Sequence, residues 1–361
     1  MIGRTLGLYL AGRFTRSILA VFATIFVLIY LIDFVEMLRK AGDVKSISTA
    51  GIAALTLLRV PTVTEQVLPF ATLGGAMLAF IGLTRKLELV VARAAGVSVW
   101  QFLTPPIIIV LLIGVFSVGV YNPLAALMKQ RADAIELGLF GHAGASASDS
   151  SLWIRQRSAQ GQSILRAEQS SDGGSKLGSV SAFVFDLENR FVERLDASLA
   201  HLEPGVWVLE AARVTRPGFE PHTLERYLLP TFLSADQIRQ KFVTADAVPF
   251  WSLPEVSRRT EAAGLDATAY RLKYQVLLAR PLLLVAMVLI AASFSLRFFR
   301  MGGVARMVSG GVGAGFVLYV VTKLVTDLGG AGILSAQLAA WAPAMMGSLL
   351  SALVLLHLED G

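Results

Sequence analysis

Charged residues are absent from six stretches of the chain, 17–32, 66–84, 94–128, 281–296, 307–322 and 328–358. Crossing the hydrocarbon core of a bilayer takes about 20 mostly apolar residues in a helix. The two longest runs hold one span and an interfacial end each. The shorter ones reach full length by accepting a charge near one end, where a long side chain can extend to the interface. The pattern predicts six membrane helices at about 16–37, 60–83, 100–121, 273–296, 304–325 and 335–357, split three and three by the stretch 122–270.

Within 122–270 the pattern changes. Segments 180–187, 191–201 and 206–215 are rich in β-branched and aromatic residues, with turn signals at Glu188-Asn189-Arg190 and Glu203-Pro204-Gly205 between them. Earlier strand candidates are 152–157 and 162–169, followed by a loop at 170–179, and 227–232 adds one more. Trp207, Leu209 and Ala211 share one parity, and Val208 and Glu210 the other. Short strands at this spacing predict a sandwich or jellyroll. Ser252 then caps a short helix ending near Gly264, with Pro254 in its first turn and Glu255 three residues on. The fold expected is a membrane α-helical protein of six transmembrane helices with an inserted extracytoplasmic β-jellyroll domain. Its parts are helices 1–3 within 1–121, the β domain at 122–270 and helices 4–6 within 271–361.

Composition agrees with a membrane protein. Only 16% of the 361 residues are charged and 55% are hydrophobic, against roughly 25% charged in soluble domains. No cysteine is present, which removes disulfides, thiolate nucleophiles and Cys-ligated metal sites. The net charge of +6 divides unevenly: 122–270 holds 18 acids and 15 bases, and the remainder holds 17 bases and 8 acids. The basicity therefore belongs to the membrane part, which argues against a nucleic-acid footprint on the folded domain. Arg4, Arg13 and Arg16 precede helix 1, Arg85, Lys86 and Arg93 join helices 2 and 3, and Arg297, Arg300 and Arg306 join helices 4 and 5. Glu88 is the one acid among them, so the positive-inside rule puts both termini in the cytoplasm and 122–270 outside. Helix 1 has no clean small-x-small cleavage site and reads as a retained span.

Catalytic signatures are missing. There is no G-x-x-x-x-G-K-[ST] phosphate loop and no H-E-x-x-H, and His142, His201, His222 and His357 are scattered. Asp33 and Asp327 stand near outer helix ends and do not form a protease pair. The chain reads as a non-catalytic subunit. The most informative segment is 83–96, on the cytoplasmic side between helices 2 and 3. Leu87, Val90, Val91 and Ala94 fall at i, i+3, i+4 and i+7, and Gly96 suits a helix C-terminus. A short helix with an apolar stripe and a carboxylate, Glu88, suits docking into a partner's groove.

In order and spacing, several motifs resemble those of the lipopolysaccharide-export permease family LptF/LptG, nearer its LptG branch. They are Arg39-Lys40-Ala41-Gly42, the interval from Pro61 to Pro69, Glu88-Leu89-Val90-Val91 with Ala95-Gly96, Trp153-Ile154, Asn189-Arg190 and Val206-Trp207. Leu253-Pro254-Glu255, Ala279-Arg280-Pro281-Leu282 and Gly315-Phe316-Val317-Leu318-Tyr319-Val320 continue the series, so the resemblance covers essentially the whole chain. It implies an ABC exporter of a Gram-negative inner membrane that extracts lipopolysaccharide and passes it to a periplasmic bridge. The implied partners are an LptF-type permease, an LptB-type ATPase dimer, and LptC-type and LptA-type jellyroll proteins. The chain itself would hold no cofactor, with ATP and Mg bound by the ATPase. Glu88, with Leu87, Val91 and Arg93, would couple to the ATPase, its carboxylate seated in the ATPase groove near a cationic residue.

A site for lipid A should be apolar at depth and basic at the outer rim. Arg39, Lys40 and Lys45 supply the rim, and Phe26, Ile29, Tyr30 and Phe34 on helix 1 supply a face for acyl chains. In the family, helices 1 and 5 form a lateral gate, which makes Phe316, Tyr319 and Lys323 candidates opposite helix 1. Several family members carry a lysine where this chain has Asp33, so phosphate binding does not carry over to that position. Asp33 is instead expected to pair with Lys323 across the gate, against the local alternative of Lys323 with Asp327 one turn on. Glu65 in helix 2 receives no role. Other readings are a different envelope ABC permease, for which the 3+3 split is unusual, and a membrane-anchored scaffold, which needs no coupling helix.

Overall fold

A computed structural model describes residues 4–41, 48–140, 152–158, 161–171, 176–186, 188, 190–232, 245–262, 266–299 and 304–360. Lys45, Gly42, residues 172–175 of the expected 170–179 loop, Asn189 and Gly264 lie outside the described residues, and the rest of that loop is strand. The chain divides into two compact units, Met1–Asp133 with Ala245–Gly361, and Ala134–Thr244.

In the first unit the helices are α1 (Arg4–Ala41), α2 (Thr49–Arg85), α3 (Glu88–Ala94) and α4 (Val99–Phe116). A π-helical turn at Ser117–Tyr121 leads into α5 (Asn122–Phe140). After 3₁₀ turns at Ala245–Ala247 and Phe250–Ser252 come α6 (Leu253–Ala262), α7 (Thr268–Phe299), α8 (Val304–Gly330) and α9 (Ala336–Asp360). Six of these helices, with α4 to α5 taken as one, are long and apolar enough to cross a membrane. Each sits where the uncharged runs predicted, but several are longer. The third continues well past 121 because pairs such as Lys129–Asp133, one turn apart at 3.1 Å, sustain a helix without an apolar run. The β unit consequently occupies Ala134–Thr244, a narrower stretch than the 122–270 marked off by charge.

α7 is the axis of the first unit. Leu284 to Ala292 are all buried, as a helix apolar on every side requires, and α7 packs against α2, α4, α8 and α9. α1 lies along α2, and a Cβ on Gly75 would come within 2.4 Å of the Ile18 backbone, so only glycine permits this approach. Helix starts are capped locally: Ser48 accepts from Gly51 N at 3.1 Å, and Ser98 and Gln101 form a reciprocal capping box at α4.

The second unit is a six-stranded antiparallel sheet in chain order: β1 (Leu152–Ser158), β2 (Gly161–Ser171), β3 (Lys176–Phe185), β4 (Phe191–Glu203), β5 (Val206–Thr215) and β6 (His222–Pro230). All six candidates are strands, although the last runs earlier than the expected 227–232. The described strands form a meander within one sheet, each paired with its sequence neighbour. The parity read in this strand does not run through β5. Ala211 sits at φ +51 and breaks the pleat, so the buried set passes from Trp207 and Leu209 to Ala212 and Val214. Gln156 anchors the sheet's interior, accepting from Trp207 Nε1 at 3.1 Å and Thr231 Oγ1 at 2.7 Å and donating to Ser163 Oγ at 2.9 Å. Buried Glu193 accepts from Arg216 Nε at 2.7 Å and from the Tyr227 hydroxyl.

Candidate functional site

The end of α2 turns abruptly into α3 through Leu87, which adopts φ 59, a left-handed conformation costly for a branched side chain. Gly96, at φ 82, closes α3 as anticipated, with Val97 N bonded to Ala92 O at 3.1 Å. Leu89 and Ala92 turn inward, Leu89 joining the core that holds Val99 and Phe102. The stripe read from the sequence lies on the other side: Leu87 and Val91 are 59% and 66% exposed, and Val90, Arg93 and Ala94 are exposed with them. An exposed apolar face on a seven-residue helix serves no packing purpose within this chain.

Glu88, half-buried at the start of α3, is held from α1. Tyr9 donates its hydroxyl to Glu88 Oε2 at 2.9 Å, Arg13 Nη1 lies 3.3 Å from Glu88 Oε1, and Arg13 also donates to the Tyr9 hydroxyl at 2.6 Å. Glu88 thus has a cation, Arg13, within its own chain, whereas the expected cation belongs to the partner's groove.

At the other end of α1 the expected pairing is corrected. Asp33 Oδ1 faces Arg59 Nη2 of α2 at 3.9 Å, and Lys323 binds Asp327 at 3.0 Å along α8. Asp33 points to the helix packed beside it, whereas Lys323 finds an acid on its own helix one turn away. Phe26, Tyr30 and Phe34 are half-buried, not open; Tyr30 stacks on Phe34 and its hydroxyl reaches Ala53 O of α2 at 3.4 Å. The open face of α1 is instead Val27, Leu28, Leu31, Ile32 and Val35. Arg39 and Lys40 are exposed at its end, with Lys40 2.7 Å from Glu36. On α8, Phe316 and Tyr319 are exposed, and Tyr319 touches Phe70 of α2 with ring centroids 4.9 Å apart.

Sequence reasoning left one cluster unassigned. Glu65 of α2 and Arg280 of α7, 2% and 7% exposed, form a direct ion pair, and Asn122 Nδ2 donates to both Glu65 oxygens at 2.9 and 3.1 Å. Asn122 Oδ1 accepts from Phe250 N at 3.0 Å. The π-turn places Tyr121 beside it, where its hydroxyl meets Thr64 Oγ1 at 2.7 Å and Pro61 O at 3.1 Å. Trp251 Nε1 donates to Gly119 O at 3.1 Å, and Gln130 to Ala247 O at 2.7 Å. Burial alone would raise the pKa of nearby Asp246, but the Lys273 ammonium bound to it holds the carboxyl below the usual carboxylate range. The available signal was two opposite charges in otherwise apolar helices, which seldom stand unpaired.

The profile of a family described as lipopolysaccharide export system permease LptF/LptG matches residues 8–357. The chain is similar to the lipopolysaccharide export system permease protein LptG of Escherichia coli strains K12 and O6:H1. It is 28% identical to each over 326 residues, 84% of this chain and 86% of the relative. It is 25% identical to LptG of Haemophilus influenzae over 334 residues, 86% of this chain and 87% of that protein.

Proposed function

The chain belongs to the LptF/LptG family of lipopolysaccharide export permeases, and from that premise we propose that it is the LptG-type subunit of an ABC exporter. It is a multi-pass inner-membrane permease without a catalytic constellation of its own. Energy comes from a separate ATPase dimer that binds ATP and Mg, and a second, LptF-type permease completes the transmembrane part. Lipopolysaccharide leaves the outer leaflet of the inner membrane and passes through the β domain to LptC-type and LptA-type proteins. Both termini lie in the cytoplasm and the β domain in the periplasm, as the bases beside the helices require.

One observation carries this reading: the exposed apolar face of α3, Leu87, Val90 and Val91, next to a carboxylate already oriented by Tyr9 and Arg13. In the assembly that face seats in the ATPase groove. Glu88 is a docking and positioning group, and Arg13 keeps it aimed. Arg39 and Lys40, with Lys45, supply the basic rim for lipid A phosphates, and the open faces of α1 and α8, including Phe316 and Tyr319, border the path of the acyl chains. Val91→Asp and Glu88→Ala should both insert normally yet lose co-purifying ATPase and lipopolysaccharide release to the acceptor protein. Full ATPase retention and release by both variants would overturn the assignment of α3.

A further inference from the structure

Between α7, α8 and α9 lies a cleft of about 310 Å³ that the proposed transport path does not use. Its walls include Phe294 of α7, Val317 and Val321 of α8, and Met346, Gly347 and Ser351 of α9. Gly347 keeps it narrow at one side, since a Cβ there would come within 2.8 Å of Leu318. The lining is almost wholly apolar. Ser293 already donates its hydroxyl to Ile290 O at 2.9 Å, which leaves Ser351 as the other polar side chain in the wall. A water needs two to four polar partners, so the cleft does not hold water.

The surroundings identify the occupant. All three helices are membrane spans, and Val317, Val321 and Met346 at the rim are exposed on the surface that meets the bilayer. A transmembrane helix, ~10–12 Å across, is too wide to enter. An apolar cavity of roughly 150 Å³ holds a benzene ring, so twice that volume suits roughly a dozen methylenes in a row. An extended hydrocarbon chain gains dispersion contacts there that an empty cleft would forfeit, and sheds no hydration on entering. Measured along the helices at ~1.5 Å per residue, Phe294 lies about 8 Å from the Phe299 end of α7, and Val317 about 20 Å from the Val304 end of α8. The cleft thus runs from the half of the bilayer nearest the Phe299 end of α7 to about the middle of α8, and opens on that half.

We propose that this cleft binds one acyl chain of a glycerophospholipid. Under the orientation argued above, which this clause rests on, the chain comes from the cytoplasmic leaflet, whereas lipopolysaccharide enters from the other. The location gives the bound chain a consequence. At 100° per residue, Val317 and Val321 lie on the side of α8 away from Phe316, Tyr319 and Lys323, so the chain backs the gate-facing surface and limits how far α8 can retreat.

The test uses the complete permease complex in phosphatidylethanolamine vesicles carrying a mid-chain diazirine, with photolabelled residues mapped by mass spectrometry. Label is expected at Val317, Met346 and Ser351, as well as at Leu349 and Leu353, which point outward from α9. Ser351→Leu and, separately, Ala314→Leu fill the cleft from two helices and should remove label from the cleft residues while leaving Leu349 and Leu353 labelled. Cleft residues labelled no more than buried Ala286 of α7 in the unaltered chain would overturn the proposal, whether or not either variant folds. Label that persists in both folded, filled variants would overturn it too. Stronger cleft labelling by diazirine-bearing lipopolysaccharide than by the phospholipid would reject the source assigned. None of these readouts requires transport, so failure of the export reading would leave them standing.

Discussion

The pair Glu65–Arg280 offers the most decisive perturbation. Both side chains are almost fully buried, and both Glu65 oxygens also accept from Asn122. At an effective dielectric of 20, opposite charges 4 Å apart attract by ~4 kcal/mol. Glu65→Ala or Arg280→Ala therefore strands one buried charge, a loss of about 3–5 kcal/mol. Glu65→Leu combined with Arg280→Met removes both charges; what remains is the lost acceptor for Asn122, about 1–3 kcal/mol. The double variant should thus be more stable than either single one. For a domain of 150–250 residues each kcal/mol moves the melting point by roughly 2–4 °C, so a single substitution should lower it by roughly 6–20 °C. Intrinsic tryptophan fluorescence of the purified complex follows this directly, because Trp251 is bonded to Gly119 O beside the cluster. A double variant that melts as low as the sum of the two singles would refute the account, as would singles that melt with the unaltered protein.

Two further outcomes follow from charges away from the α3 end of the helices. A double-mutant cycle between Asp33 and Arg59 should give a coupling of about 0.5–1 kcal/mol, while one between Asp33 and Lys323 should give none; the reverse result would restore pairing across the gate. Because the Asp246 carboxyl titrates below its unfolded value of ~3.9, its stabilising contribution is complete above that pH and disappears as the pH falls through the lower folded value. Asp246→Asn should lower the melting point at neutral pH and flatten its decline in acid, and an unchanged acid limb would contradict the role of Lys273.

What could be read in the sequence is what local pattern determines. Six runs without charge gave six helices because a bilayer admits no other arrangement of so much apolar chain. The i, i+3, i+4, i+7 spacing from Leu87 to Ala94 gave α3 and its outward stripe, and the turn residues marked off the strands, though not their pairing in chain order within one sheet. What escaped notice depends on partners distant in sequence. Arg280 is 215 residues from Glu65, and no spacing rule joins them. Asp33 could have been matched with any cation at the same depth, and geometry chose Arg59. The parity of β5 failed at Ala211 because a single left-handed residue resets the alternation without any compositional mark. The length of α5 could not be read from an apolar run, because the helix continues through charged sequence past Lys129.

Apolarity, which located the spans, says little about which of them are buried. The most apolar segment of α1 has a mean hydropathy of 2.7 and is 6% buried, while that of α7 has 2.3 and is 72% buried. In water those values would rank the other way, but lipid is as apolar as leucine, so burial between membrane helices is decided by close approach and by polar pairs. α7 has both, with Pro281 against Gly114 and Arg280 on Glu65. α8 makes close approaches at glycines, Gly311 and Gly315 against Met77 and Leu73 and Gly310 against Phe294, while Phe316, Val320 and Leu324 are left outside. α1 likewise approaches α2 at Gly75 and leaves Val27, Leu31 and Val35 open. α1 and α8 are the least buried of the spans, at 6% and 11%, so the second permease proposed above would find its contact surface there.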